Sequence, residues 1–181
     1  MAFEVAGSQV KFEGRMIKAG LERYRYDDGN EYQREKVWHP GAAGVVAIDE
    51  DTIWLTRQPR EVVGASASLE IPAGKLDEAG ESPLEAAQRE LSEEVGRRAE
   101  HWEEIAVFYT SPGFSDERIW LFMATGLRED PEAEPDESER IEIVRWPLER
   151  LDDAIAECED SKTLIALLWL GLREAPAPLQ R

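Results

Sequence analysis

The chain has 181 residues, 39 of them acidic and 21 basic, and its formal net charge at pH 7 is −18. This charge disfavours nucleic acid or an anionic membrane as a partner. Cys158 is the single cysteine, which excludes an internal disulfide. Residues 1–15 lack the apolar stretch of a secretory signal, and residues 164–172 are too short to span a bilayer. We therefore expect one main domain in the cytoplasm.

The N-terminal quarter of the chain is predicted to be β-structure. Residues 9–38 give two or three strands, with a hairpin turn at residues 27–30. Residues 44–48 form an apolar run typical of a buried strand, residues 52–58 form the next strand, and residues 59–67 are predicted to be a loop. We assign residues 1–38 to an N-terminal β extension and residues 39–181 to the main domain.

The remainder alternates between helices and strands. One helix follows Ser82, and an acidic loop occupies residues 129–140. The other predicted elements are strands at 101–109, 119–125 and 141–146 and helices at 148–157 and 161–173. Strands on both sides of a helix, in a mostly antiparallel pattern, predict an α/β sandwich.

The helix after Ser82 has clear end signals. Ser82 is a good N-cap, Pro83 suits the first helical position, and Glu85 completes a capping box. Gly96 is placed to end the helix in a left-handed conformation. The apolar stripe expected to face the core has three members, Leu84, Leu91 and Val95.

Three glutamates crowd the end of this helix. Glu90, Glu93 and Glu94 fall within about a third of its circumference. Like charges at this spacing cost roughly 0.2–0.5 kcal/mol per pair, and the helix dipole adds to the cost. The cluster therefore predicts a partner, either arginine or a hard divalent cation such as Mg²⁺. A solvated acidic face is the alternative interpretation.

A larger pattern surrounds these glutamates. Gly74 and Glu81 precede the run RELSEEVG at residues 89–96. This pattern resembles the Nudix box, a glycine and a glutamate followed by REUxEExGU, where U is a bulky apolar residue. Two departures are visible: six residues separate Gly74 from Glu81 instead of five, and Arg97 takes the last apolar position.

Other segments are similar to the ADP-ribose pyrophosphatase branch of the Nudix hydrolases. Pro112 stands about fifteen residues beyond the box, at a position typical of that branch. The further matching segments are residues 39–42, 57–60, 70–74, 111–114 and 161–164. The resemblance implies hydrolysis of ADP-ribose to AMP and ribose 5-phosphate with Mg²⁺ or Mn²⁺. It also implies an α/β/α sandwich with mixed sheets, in a homodimer that uses residues 1–38 as an arm.

The resemblance also implies a set of metal ligands. Glu90 and Glu94 match the principal ligands, Glu93 belongs to the same cluster, and the backbone carbonyl of Ala73 matches a further ligand. Arg89 matches the arginine that orients these glutamates.

Substrate contacts and the general base are implied elsewhere. Arg60 and Arg57 match residues that hold phosphate or the terminal ribose, and Pro112, Gly113 and Phe114 match a substrate loop. The base is expected on the acidic loop, with Glu137 first and Glu139 second. Trp38, Tyr24 and Tyr32 are candidates to stack on adenine, with packing as the alternative role.

Several functions remain open from the sequence. Another Nudix hydrolase, acting on a different nucleoside diphosphate sugar or a dinucleotide, is the nearest alternative. A sensor that binds ADP-ribose without cleaving it is a second, although the intact cluster of Glu90, Glu93 and Glu94 argues against it. An acidic protein without catalytic function is the third.

Overall fold

Two sheets make up the β-structure of the computed structural model, which describes residues 2–135 and 140–174. The first sheet has three antiparallel strands in chain order, β1 (Phe3–Glu13), β2 (Lys18–Tyr26) and β3 (Glu31–Trp38). The expected strands within residues 9–38 are present, and β1 begins earlier, at Phe3.

The second sheet has seven strands and is mixed. Its strands are β4 (Ala42–Asp49), β5 (Thr52–Arg60), β6 (Ala65–Glu70), β7 (Ala73–Lys75), β8 (Arg97–Tyr109), β9 (Arg118–Glu129) and β10 (Glu142–Pro147). They are ordered β10-β5-β4-β9-β8, with β6 paired to β5 and β7 to β4. The pair β4–β9 is parallel, and the other described pairs are antiparallel.

Helices cover both faces of the seven-stranded sheet. These helices are α1 (Pro83–Val95), α2 (Leu151–Glu157) and α3 (Ser161–Glu174). Val45 of β4 packs in the cluster that contains α1, whereas its neighbour Val46 packs in the cluster that contains α2 and α3. Burial on both faces explains why β4 is a continuous apolar run. The predicted α/β/α sandwich is confirmed.

The predicted loop at residues 59–67 was wrong. Glu61–Val63 form a single 3₁₀ turn, and β6 already begins at Ala65. Gly64, with φ of 73°, reverses the chain so that Ala65 pairs with Arg60. A glycine accepts this left-handed conformation without strain, and the reversal turns the loop into a hairpin.

The predicted core stripe of α1 also needs correction. Leu91 and Val95 are buried, but Leu84 is 36% exposed. At about 100° per residue, all three lie along one edge of the buried face instead of its centre. The buried face continues around the helix through the following residues: Ala87, Glu94, Glu90 and Ala86. The sheet therefore buries two of the glutamates that the sequence placed opposite the core.

The three-stranded sheet joins the main body through the end of β3. Val37 donates its amide to the carbonyl of Phe114 at 2.8 Å, and Asp116 donates its amide to the carbonyl of Val37 at 3.2 Å. Lys36 adds a contact of 3.2 Å to the Asp116 carboxylate. None of the helices in the described part of the chain is long and apolar enough to cross a membrane.

Candidate active site

Capping interactions at both ends fix the position of helix α1, which carries the glutamates. The amide of Ser82 donates to Glu85 Oε2 at 2.8 Å, and the amide of Glu85 donates to Ser82 Oγ at 3.3 Å. Gly96 ends the helix with φ of 66°. The capping box and the glycine cap are therefore present, and they fix where the glutamates stand along the helix axis.

The start of β7 packs directly against the glutamates. A Cβ atom built on Gly74 would lie 1.8 Å from Glu90 Oε1, so a larger residue at position 74 would displace the Glu90 carboxylate. The amide of Ala73 donates to Glu94 Oε2 at 3.2 Å. The close approach of Gly74 to Glu90 accounts for the glycine at the first position of the motif. Ala73 and Gly74 thus touch two of the three clustered carboxylates.

Arg89 forms hydrogen bonds with three carboxylates of the motif. Its guanidinium donates to Glu81 at 2.9 and 3.2 Å, to Glu90 at 2.6 Å, to Glu93 at 2.9 Å and to the Lys75 carbonyl at 3.2 Å. The Glu81 hydrogen bond, followed by the charge of Glu90, raises the pKa of Arg89. Arg89 therefore offsets the repulsion between the glutamates. The six-residue spacing still brings Glu81 into this network.

The oxygen donors suit a divalent cation in their chemistry. Glu90, Glu93, Glu94 and the Ala73 carbonyl supply hard oxygen atoms, which Mg²⁺ and Mn²⁺ prefer. Glu90 and Glu94 are buried beside Ala73 and Gly74 of β7. Among residues 2–135 and 140–174, however, no three acidic, histidine or cysteine side chains are grouped as a metal site. In this conformation Arg89 holds carboxylates of the cluster.

A cleft of about 610 Å³ opens beside Ala73 and Gly74. Its floor includes Ala73 and Gly74, and Glu94 reaches it from α1. The charged side chains that line it are Arg60, Lys75, Lys162, Glu94, Glu117 and Asp160. Cations and carboxylates are thus balanced in the cleft, although the chain as a whole carries a net charge of −18. Local balance reduces the repulsion that an anionic ligand would meet.

A buried carboxylate holds two of the cleft cations. Arg60 donates from Nε and Nη2 to the two oxygens of Glu70, each at 2.7 Å, and Lys162 donates to Glu70 Oε2 at 2.5 Å. Burial alone would raise the pKa of Glu70, but the Arg60 hydrogen bonds and the Lys162 charge outweigh it and lower the pKa to about 2. The bidentate pair fixes the plane of the Arg60 guanidinium.

The structure separates the other predicted substrate residues from this cleft. Arg57 forms an ion pair with Glu157 and is absent from the described cleft lining. Pro112, Gly113 and Phe114 line a different groove of about 450 Å³ between the three-stranded sheet and the main body. Trp38 lines a further groove beside it. These residues do not meet Arg60 within one chain.

Glu117 is another carboxylate that lines the cleft. Thr110 donates its hydroxyl to Glu117 Oε2 at 2.7 Å. His39 Nδ1 accepts from the Gly41 amide at 3.1 Å and lies 3.7 Å from Glu117 Oε1. The Gly41 contact gives His39 a structural role at the entry to β4. The predicted bases Glu137 and Glu139 lie outside the described residues.

Sequence reasoning gave no role to Glu70, Asp160 and Lys162. All three lie close to the cleft, and two of them belong to the matching segments 70–74 and 161–164. The signal available was an acidic residue before Ile71 and a basic residue at the start of a helix, 92 positions apart. Spacing alone does not pair residues at that distance.

Comparisons with known proteins agree with this geometry. Residues 38–168 match the NUDIX domain. The chain is 42% identical over 168 residues to the methanol dehydrogenase activator of Bacillus methanolicus, covering 91% of this chain and 90% of that protein. It is 40% identical over 178 residues to the ADP-ribose pyrophosphatase of Bacillus subtilis strain 168, covering 94% and 93%.

A solved structure extends the likeness to the fold. The crystal structure of an ADP compounds hydrolase superposes with a TM-score of 0.81 at 25% identity, covering 96% of this chain and 94% of that one. The family match spans more than two thirds of the sequence. The box at residues 74–96, the sandwich fold and these relatives agree, and the chain belongs to the Nudix family of hydrolases.

Proposed function

We propose that this Nudix hydrolase cleaves ADP-ribose to AMP and ribose 5-phosphate, with Mg²⁺ as the cation and Mn²⁺ as its substitute. One observation carries the proposal: α1 and the charge-balanced cleft meet at Ala73 and Gly74 of β7. This arrangement occurs in a chain 40% identical to a protein named ADP-ribose pyrophosphatase. A small nucleotide substrate and a divalent metal suit the family in general.

The proposed metal ligands are Glu90, Glu93, Glu94 and the Ala73 carbonyl. A bound divalent ion neutralises pyrophosphate charge and assists in activating a water molecule. Arg89 orients the glutamates, as its hydrogen bonds to Glu90 and Glu93 suggest. We assign the general base to Glu137, with Glu139 as the alternative, on the resemblance of the acidic loop to that of the ADP-ribose pyrophosphatase branch; such a carboxylate would accept the proton of the attacking water.

Arg60 is the proposed phosphate-binding residue. Glu70 holds two of its nitrogens and leaves the guanidinium partly exposed to the cleft. A guanidinium already fixed by a buried partner loses less side-chain entropy when it binds an anion. Lys162 adds a second positive charge at the same end of the cleft. Arg57 has a weaker case, because Glu157 holds it elsewhere.

The three-stranded sheet is proposed to be a dimer arm, formed by residues 1–38. Large apolar side chains on it are exposed: Phe3, Val5, Val10, Phe12 and Met16. Large exposed apolar side chains in this number are typical of an interface. In the proposed homodimer, Trp38 and the loop Pro112, Gly113 and Phe114 border that interface and are candidates to contact adenine.

A second candidate function follows from the relative in Bacillus methanolicus. That protein is named a methanol dehydrogenase activator and is 42% identical to this chain. The corresponding proposal here is an effect on a dehydrogenase, either through direct contact or through hydrolysis of a dinucleotide. We place either reaction in the cytoplasm, which agrees with a single cysteine and a strongly acidic chain.

A substrate panel tests the proposal. The purified protein is incubated with Mg²⁺ and ADP-ribose, nucleotide sugars, dinucleotides or nucleoside triphosphates, and products are separated by chromatography. We expect the highest kcat/KM with ADP-ribose. Tight binding of ADP-ribose without AMP formation would support the sensor instead. Preference for a dinucleotide, or stimulation of a methanol dehydrogenase, would favour the second candidate.

A further inference from the structure

Residues 71–74, which lead from the end of β6 into β7, are held from two sides. On one side, Ala73 donates to Glu94 and Gly74 packs against Glu90. On the other side, the first turn of α3 contacts Ile71, which is fully buried. This short segment therefore connects α3 to the glutamates of α1.

Thr163 makes the contact from α3. Its Oγ1 accepts a hydrogen bond from the Ile71 amide at 2.8 Å and donates its proton to Asp160 Oδ2 at 2.7 Å. The same Asp160 oxygen accepts from the Thr163 amide at 2.9 Å. Because the hydroxyl proton goes to Asp160, a lone pair of Oγ1 stays directed at Ile71. The Thr163 side chain is therefore oriented by its neighbour.

The path from Ile71 to Ala73 is short and stiff. Pro72 lies between them, and its ring fixes φ while restricting the residue before it. The Pro72 carbonyl accepts from the Val45 amide at 2.8 Å. Because few torsions between them are free, we expect a displacement at Ile71 to shift the Ala73 carbonyl. Thr163 is fully buried and is absent from the described cleft lining, so it does not touch a ligand there.

We infer that Thr163 is a positioning residue for the divalent-cation site. Through the Ile71 amide, it sets the Ala73 carbonyl and the Gly74 backbone against Glu90 and Glu94. The inference rests on the proposed metal ligands. Hydrogen bonds behind a metal ligand govern affinity because they fix its orientation, and their loss typically costs about 10- to 100-fold in binding.

The test measures Mn²⁺ binding to the full chain without substrate. Mn²⁺ is titrated into wild type and into Thr163→Val, and the concentration of free Mn²⁺ is measured by electron paramagnetic resonance. We expect about tenfold weaker binding in the variant. Thr163→Ser keeps the hydroxyl and is expected to bind within twofold of wild type. Thr163→Ala removes the same oxygen without placing a methyl group against the Ile71 amide, and it replaces Thr163→Val if that variant does not fold.

Leu167→Ala is the matched control for general damage. Leu167 is fully buried one turn further along α3, and its truncation leaves the Thr163 hydroxyl in place. We expect it to lower Tm at least as much as Thr163→Val, with Mn²⁺ binding unchanged. Equal binding by wild type and Thr163→Val overturns the inference alone, as does equal weakening in Leu167→Ala. Failure of wild type to bind Mn²⁺ overturns the proposed metal site and the inference with it.

Discussion

The α1 region and the N-terminal sheet differ in how far contacts within one chain pair their charges and bury their apolar side chains. Around α1, Arg89 holds carboxylates that would otherwise repel, and Glu90 is buried against Gly74. On the N-terminal sheet, Phe3 is 61% exposed and Phe12 57% exposed. The carboxylates of the first region have partners within the chain, whereas the second region exposes large apolar side chains. We therefore expect different mutations to affect turnover and assembly.

The largest expected effect is at the glutamates. Glu94→Gln keeps the size of the side chain and an oxygen for the Ala73 amide, but it removes the charge that a divalent ion needs. Metal stabilisation of the transition state is worth several kcal/mol, so we expect kcat to fall about 1,000-fold. Steady-state kinetics with ADP-ribose measure it. The control is Glu149→Gln, at an exposed glutamate. A kcat of Glu94→Gln within tenfold of the wild-type value would show that Glu94 of α1 does not take part in catalysis.

Acid titration compares Glu70, a buried carboxylate beside the cleft, with Glu22, a buried carboxylate of the N-terminal sheet. The pKa of Glu70 is lowered from 4.5 to about 2, so its ion pairs stabilise the fold above pH 4.5 and lose that contribution as the pH falls towards 2. The difference corresponds to about 3 kcal/mol. Urea unfolding from pH 7 to pH 2 should show a weaker pH dependence in Glu70→Gln.

Glu22→Gln is the matched variant in the N-terminal sheet. Burial opposes the hydrogen bonds from Tyr24 and Lys36, which together lower the pKa of Glu22. Its contribution has the same sign but should be smaller, because one lysine pairs with it instead of an arginine and a lysine. If Glu22→Gln reduced the pH dependence of the free energy of unfolding more than Glu70→Gln does, this ranking would be contradicted.

Two arginines mark the boundary of the cleft. Arg60 lines it beside Glu70, whereas Arg57 pairs with Glu157 outside it. Because charged hydrogen bonds are worth about 1.5–3 kcal/mol, Arg60→Ala should raise KM for ADP-ribose at least about tenfold. Arg57→Ala should change KM less than twofold. The reverse order in initial-rate measurements would move the phosphate site to the α2 side of the sheet.

The smallest expected effect on turnover is in the N-terminal sheet. Phe12→Asp places a charge in the proposed dimer interface, which is costly to bury. Light scattering should give twice the chain mass of 20.5 kDa for wild type and the single-chain mass for the variant. We expect kcat to stay within twofold. Val62→Asp, at an apolar side chain fully exposed on the main body, should remain dimeric. A monomeric wild type would refute the dimer arm.

Local rules account for the parts of the site that the sequence predicted. The ends of α1 depend on Ser82, Glu85 and Gly96, whose hydrogen bonds reach only three to five residues along the chain. The box spacing set the ligand-bearing positions in the same local way. Such features are visible in a sequence because the interacting groups are neighbours.

Packing decided what the sequence did not predict. The rotation of α1 about its axis depends on the sheet beneath it, which buries Glu90 and leaves Leu84 exposed. The pairing of Glu70 with Lys162 joins positions 92 residues apart. Arg57 lies away from the cleft because side chains alternate across a strand, and its partner Glu157 comes from the α2 side.

Release of products from ADP-ribose tests the central claim most directly. AMP and ribose 5-phosphate are quantified over time with wild type, Mg²⁺ and ADP-ribose, and again after the metal is chelated. The account predicts equal amounts of the two products with Mg²⁺ and loss of turnover on chelation. Undiminished turnover after chelation, or no cleavage of ADP-ribose with either Mg²⁺ or Mn²⁺, would contradict it.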